Sequence, residues 1–592
     1  MKTAIIAAIG AATLMVSGAS AASKNYLRFT ARGGSVVIGM TDPCAEIDWE
    51  EEWGYVPDEE EMEWYLTPPL TLETAASPDQ SDWTLFEAGT DQIVIADGET
   101  VYFRQHDPDR TDFQNTELGG AWHFTMSADP STPQATVEGG GNAVSVVDAT
   151  CGEAELAPYA ITELFRDCTI LTTPPELVAA KLATRCYEWT FRGCTGLRTA
   201  PALSAMELAE GCYLGLFDGC TSLEKASALP ATNLVRYCYR AMFNGCTALT
   251  AAPELPATRM ADSCYSMMFY KCVALAVAPE LPVAELANGC FDTMFGYCSS
   301  LTAAPELPVT TLADGCYKYM FEYCTSLTSA PKLPATVLAN SCYSGMFHHC
   351  TSLAVAPHLP ATELTDYCYL SLFWGCTSLK RVSVGFSAWK TSASQTKYWM
   401  DEAPSSGLFI CPSSLAKTYG RDNIPSGWTV AEPVTVKVPR QANCTAVATA
   451  NGAAITGTPD GDAAVFTFGK GKEDADIAFE PSDGYALVGA AEYTIPKIAV
   501  SVAFGTGDYA LPTVVRHAPE VSRQSAALQF DGLAVEGGAV LLSFGVRTTP
   551  ALDVPDWQPA AVSSATLSPD GKTVTLTIPA TAAQGFYKFA DE

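Results

Sequence analysis

The sequence is short of positive charge. Against 66 Asp and Glu it carries only 34 Lys and Arg, a formal charge of −32 over 592 residues. A phosphate backbone needs a basic surface to displace its counterions, so nucleic acid is not an expected partner. Anionic membranes are disfavoured for the same reason. Patterns that carry chemistry are missing as well. There is no C-x-x-C, no H-E-x-x-H, no G-x-S-x-G and no EF-hand spacing, and histidine occurs only six times. No nucleophile, general acid or general base can be nominated. The chain therefore reads as a non-enzyme, with no catalytic residue, metal or cofactor expected. Beyond the N-terminal run, no stretch is apolar enough to span a bilayer.

That N-terminal run has a meaning of its own. Lys2, the apolar stretch from Ala4 to Val16 and the small residues Ala19-Ser20-Ala21 read as a secretory signal peptide over residues 1–21, not a membrane anchor. The first cysteine is Cys44, so no lipid-attachment cysteine follows the signal. The mature protein is expected outside the cytoplasmic membrane. With only 17 % charged residues and 48 % hydrophobic ones, it has material for large cores.

The 21 cysteines and 38 prolines fall in register. Cysteines recur every 26 residues from Cys186 to Cys368, and a second series runs eight residues behind, from Cys194 to Cys376. A worn first copy has Ala160 and Cys168, which makes nine repeats. Asp262, Asn288, Asp314, Asn340 and Asp366 stand two residues before the first cysteine, where a helix N-cap would sit. Gly193, Gly219, Gly245 and Gly375 stand where a helix would end. Between them, Cys264 and Met268, like Tyr265 and Phe269, are four apart, the spacing of one helical face. A short extended piece such as Leu249 to Ala252 follows, ended by Pro253. The expected fold is an α/β solenoid, leucine-rich-repeat-like, with a short strand and a short helix in each coil, flanked by all-β modules.

Residues eight apart across a short helix stand about 11 Å apart, too far for a disulfide. Buried free thiols are expected in the repeats. Cys44, Cys151, Cys411 and Cys444 lie outside the ladder, and whether they pair stays open.

The repeat, as in Phe347-x-x-Cys350-Thr351-Ser352-Leu353, resembles the BspA-like leucine-rich repeats of bacterial surface proteins. The form with Cys-Tyr-x-x-Met-Phe and Ala-Pro-x-Leu-Pro-Ala-Thr looks like a variant from host-associated bacteria. The segment Asn142 to Asp148 is similar to the lead-in of such proteins, and Gly407 to Pro412 and Ile424 to Thr429 to their closing segment. The likeness covers residues 22 to 431. It departs from the pattern at Ala160, Val178 and Ser204, which suggests a worn capping end. What the resemblance implies is adhesion: a secreted or cell-surface protein that binds extracellular protein or glycan on a host or neighbouring cell. A structural envelope protein that self-assembles is the alternative.

The expected domains are a β-rich unit over 22–150, the repeats over 151–385, a cap over 386–431, and two β-sandwich-like modules over 432–510 and 511–592. The first holds an acidic insertion from Glu46 to Glu63, read as a solvated loop. The Asn451-Gly452 and Asp570-Gly571 pairs mark hairpin turns. The two positions after each Met/Leu-Phe vary between repeats while the rest stays fixed. They supply the candidate ligand-binding stripe Tyr270, Tyr297, Tyr323, His348, His349 and Trp374. The competing reading is that these rings merely cover helix ends between coils. His348, His349 and His358 share one repeat and are expected as solvated surface residues, not metal ligands.

Overall fold

The computed structural model describes residues 25–41, 70–79, 81–106, 122–147, 156–179, 181–389, 394–483, 485–505 and 509–516. Beyond these it describes the backbone of four strands, Ala527–Glu536, Ala539–Arg547, Ser564–Leu567 and Val574–Thr577. The expected signal peptide, the acidic insertion, Cys44, Cys151 and the Asp570-Gly571 turn lie outside the described residues.

The expectation of an α/β solenoid with a helix in every coil is overturned. Among the described residues there is no α-helix; the one helical element is a 3₁₀ turn, Ala143–Val146, and the strands form separate small sheets. The segment read as a helix is a chain of turns in which every fourth residue is left-handed. In one repeat these are Gly211, Gly215 and Gly219, at φ of 61°, 58° and 74°. In others, non-glycine residues take the same conformation, as at Arg185 and Trp189 or Tyr237 and Ala241.

Hydrogen bonding explains why this arrangement wins. Within the turns, alternate amides bond back three residues, as Cys186 N does to Ala183 O and Glu188 N to Arg185 O. The amides between them cross to the next repeat, Tyr187 N to Cys212 O, Trp189 N to Leu214 O and Phe191 N to Leu216 O. A two-turn helix would leave most of its end groups unpaired and bear the full nucleation cost. The turn chain finds partners for them in its neighbour. Cys, Tyr, Phe and Gly are also weak helix formers. The four-residue spacing that suggested a helical face belongs to the turns, whose period differs from 3.6 by less than one residue over a segment this short.

The expected N-caps do different work. Asp262 Oδ1 accepts from Asn288 N at 3.1 Å, Asn288 Oδ1 from Asp314 N at 3.2 Å, and Asp314 Oδ1 from Asn340 N at 2.9 Å. They form a side-chain ladder between repeats. The expected strand survives in Leu171–Thr173 and Val355–Leu359, and in the coils between them it is reduced to isolated parallel bridges such as Thr199 to Lys225 and Ala303 to Ser329. The prolines beside them have no amide to offer a ladder.

Stacking buries what a single repeat cannot. Phenylalanines from Phe165 to Phe373 form a column with centroids 5.2 to 5.9 Å apart. A parallel column runs from Tyr187 to Tyr369. All the described cysteines are free, and all but Cys444 are buried. In the second series each thiol donates to a phenylalanine carbonyl of the preceding repeat, from Cys194 to Phe165 O at 2.9 Å through Cys376 to Phe347 O at 3.0 Å. These thiols staple repeat to repeat. Burial pushes those of Cys186, Cys238, Cys316 and Cys376 up to about 12, so they remain protonated and inert at neutral pH.

Both ends of the stack are closed. At the start, Leu171–Thr173 extends a six-stranded sheet by pairing in parallel with Thr136–Gly140, and Phe124 stacks on Phe165 at 5.8 Å. At the far end, residues 394–402 add a layer without cysteine, in which Trp399 O accepts from Phe373 N. A parallel sheet of Val355–Leu359, Arg381–Val384, Leu408–Ile410 and Thr429–Ala431 follows. The chain then forms two four-stranded sheets with Val436, Phe466, Phe468, Ile477 and Phe479 among their buried residues. Tyr485–Val488 pairs with Thr513–Arg516, joining residues on either side of position 510.

One buried ion pair fastens this module to the stack. Arg381 Nε meets Glu473 Oε1 at 2.6 Å and its Nη2 meets Oε2 at 3.1 Å, with side chains 7 % and 2 % exposed. Gly469 N donates to the same carboxylate, and Thr467 O accepts from the guanidinium. With its hydrogen bonds met, removing either partner would strand a buried charge, at a cost of about 3–5 kcal/mol.

Two measurements check this architecture. In a helix interior, Ala241→Gly would destabilise by about 1 kcal/mol. At its observed φ of 53° the same change relieves left-handed strain, so urea unfolding should show stability unchanged or raised by up to about 1 kcal/mol. Thiol labelling of the native chain should be fast at Cys444, while the repeat cysteines react only on unfolding.

Candidate binding surface

The candidate stripe sits on the turn segments. Tyr270, His348 and Trp374 occupy the position after the column phenylalanine, and Tyr297, Tyr323 and His349 the next one. That second position is left-handed. It is glycine at Gly193, Gly219, Gly245 and Gly375, yet four consecutive repeats carry Lys271, Tyr297, Tyr323 and His349 there, at φ of 60°, 61°, 54° and 57°. Each side chain in that conformation costs about 1–2 kcal/mol relative to glycine.

The structure brings all six residues together, half-buried, in one continuous run. Tyr270 meets Tyr297 edge-on at 5.3 Å, Tyr297 stacks on Tyr323 at 4.4 Å, and Tyr323 on His349 at 4.5 Å. His348 lies edge-on to Tyr323 at 5.3 Å and 5.0 Å from Trp374. The run continues to Tyr398, 5.9 Å from Trp374. Sequence reasoning missed Tyr398 because it stands in the closing layer, which lacks the cysteine marker. Cations flank both ends: Lys271 lies 5.2 Å from the Tyr270 ring, and Lys397 and Arg421 lie 4.9 and 4.0 Å from the Tyr398 ring.

Several rings also fill space between repeats. A Cβ at Gly296 would meet the Tyr270 ring at 2.8 Å, and one at Gly345 would overlap the Tyr319 ring. Each ring lies on the glycine found 26 residues later. Part of the aromatic content is thus packing between layers, though there are no helix ends for it to cover.

The polar atoms of the run are less well served. Six buried side-chain polar atoms among the described residues have no hydrogen-bond partner, and four of them are here: both ring nitrogens of His348, Nδ1 of His349 and Nε1 of Trp374. Glu322 approaches His348 Nδ1 only to 3.9 Å, beyond hydrogen-bond reach. Partial burial, then the neighbouring His348, lower the pKa of His349 against the pull of Glu402, which favours a neutral ring at pH 7. An unmet buried group costs about 1–3 kcal/mol.

The histidine expectation is corrected: His348 and His349 are half-buried, with both ring nitrogens of His348 and Nδ1 of His349 out of contact with solvent. His358 is not a solvated surface residue: it is half-buried in the parallel sheet, with Nδ1 2.9 Å from Ser383 Oγ. It stands apart from the stripe. Among the described residues no group of three or more His, Cys, Asp or Glu is placed to hold a metal ion. No helix among them is long and apolar enough to cross a membrane.

No protein-family model matches the chain, and comparison with curated proteins finds no match.

Desolvation, then the Arg381 cation, push His358 down from 6.5 to about 4. The unfolded chain therefore binds the extra proton between these values. Stability contributed by the neutral ring is full above pH 6.5 and is lost as pH falls towards 4, by about 2 kcal/mol after allowance for its partial exposure. Urea unfolding at pH 7 and pH 4.5 should show a change in stability that is about 2 kcal/mol more unfavourable towards acid in the parent protein than in His358→Gln.

Proposed function

We propose that this chain is a secreted or cell-surface binding protein without enzymatic activity, adhesin-like as the BspA-like resemblance implies. In this reading the stripe from Tyr270 to Trp374 contacts a protein or glycan on a host or neighbouring cell. The observation that carries the reading is the continuous run of half-buried rings from Tyr270 to Trp374, flanked by Lys271 at one end and by Lys397 and Arg421 at the other. A partner that lays apolar or sugar-ring surface on these rings covers them, and the flanking cations meet its acidic groups. The rings at 297, 323 and 349 stand where four other repeats have glycine, and they supply half of the run. Closed ends weigh against the self-assembling alternative, because no bare repeat is left for end-to-end growth.

The test is a matrix-protein and glycan screen of the intact chain beside two variants. Tyr297→Gly combined with Tyr323→Gly removes two rings while relieving backbone strain, so the fold is retained. Trp374→Ala removes the largest ring. The reading expects a ligand whose binding falls at least about tenfold in each variant, while each variant still unfolds in one cooperative transition well above the assay temperature. A ligand bound equally by all three proteins would sink it, as would a screen with no binding to the folded parent.

A further inference from the structure

We infer a second binding site, independent of the stripe, in the cleft where the repeat stack meets the first β-module. The cleft has a volume of about 510 Å³, within the range of small-molecule sites, and lies between two structural units, where such sites are common. One wall is built from Pro308, Lys332 and Pro334 of the repeats, the other from Val438, Arg440 and Phe479 at the open end of the two sheets. The buried Arg381–Glu473 pair holds the two walls in fixed relation, so the cavity is formed before any ligand arrives.

The lining defines what fits. Lys332 on one wall and Arg440 on the other are both exposed, and among the described residues neither has an acid within ion-pair distance. Two unpaired cations lining one cleft are conspicuous in a chain of net charge −32. Glu306, one repeat before Lys332, lines the same wall. Gln441 donates through Nε2 to Pro512 O at 2.8 Å, which leaves its buried Oε1 without a donor. Phe479 and Val438 are buried and supply apolar surface. A ligand matching all three features carries a carboxylate for Arg440 and Lys332, an N–H for Gln441 Oε1, and an apolar group for Phe479. That is the chemistry of a short peptide with a free C-terminus and an apolar last residue. Cys444, the half-buried thiol, also lines the cleft and serves as a built-in reporter.

The experiment titrates the intact chain calorimetrically with alanyl-phenylalanine, with its C-terminal amide, and with glucuronate as an acidic sugar. The proposal expects the dipeptide to bind with Kd below about 1 mM and to slow iodoacetamide labelling of Cys444. Amidation of the dipeptide, or Arg440→Ala, should each weaken binding about tenfold. Arg440 is exposed, so the variant should melt as the parent does. Absence of dipeptide binding to the folded protein would overturn the proposal, and so would binding insensitive to both changes. Glucuronate bound as tightly as the dipeptide would overturn the peptide assignment.

Discussion

The rest of the molecule depends on one hydrogen-bond alternation. In the turn segments one set of amides stays within its repeat, and the set between them reaches into the next. Neither half is self-sufficient. The local bonds close turns but leave every second amide open, and the long bonds fill those amides only if the next repeat has the same turns at the same height. Backbone satisfaction is therefore collective, and it explains why the 26-residue period does not drift.

Side-chain placement follows from that backbone. With a left-handed residue at every fourth position, the intervening residues present Cys-Tyr and Met-Phe pairs inward, and identical residues of successive repeats fall in line. Phenylalanine rests on phenylalanine and tyrosine on tyrosine, while the thiols of the second series bridge to the preceding layer. Such a core is uniform along its length. The outward side is released from that uniformity, so the unmet polar atoms gather there and in the junction cleft.

Much of this was legible in the residues and one major part was not. The period, the buried thiols and the candidate stripe are written directly in the spacing of Cys186 to Cys376. The helix was misread because Cys264 and Met268, four apart, fit a four-residue turn as well as a helical one, and eight residues are too few to separate the periods. A corrective signal was present: Gly211, Gly215 and Gly219 also fall four apart, and glycines at that interval mark recurrent left-handed positions, not a single helix end. The aspartates and asparagines were misassigned because capping and ladder formation call for the same short polar side chain. Tyr398 and the junction cleft were invisible, since each arises where segments distant in sequence meet.

The pairing of a ring on one repeat with a glycine on the next has a consequence for how such a chain can vary. Tyr270 over Gly296, Tyr319 over Gly345 and His349 over Gly375 each form one unit spread across two repeats. Replacing the glycine forces a clash, and replacing the ring leaves a hollow. New surface is thus acquired in linked couples: an added aromatic residue is tolerated when its successor loses a side chain, or when the successor is itself a ring to lie against, as Tyr323 is for Tyr297. Shuffling single repeats would break these couples, whereas moving two adjacent repeats together would carry them intact. The natural cassette for recombining this surface is therefore the doublet.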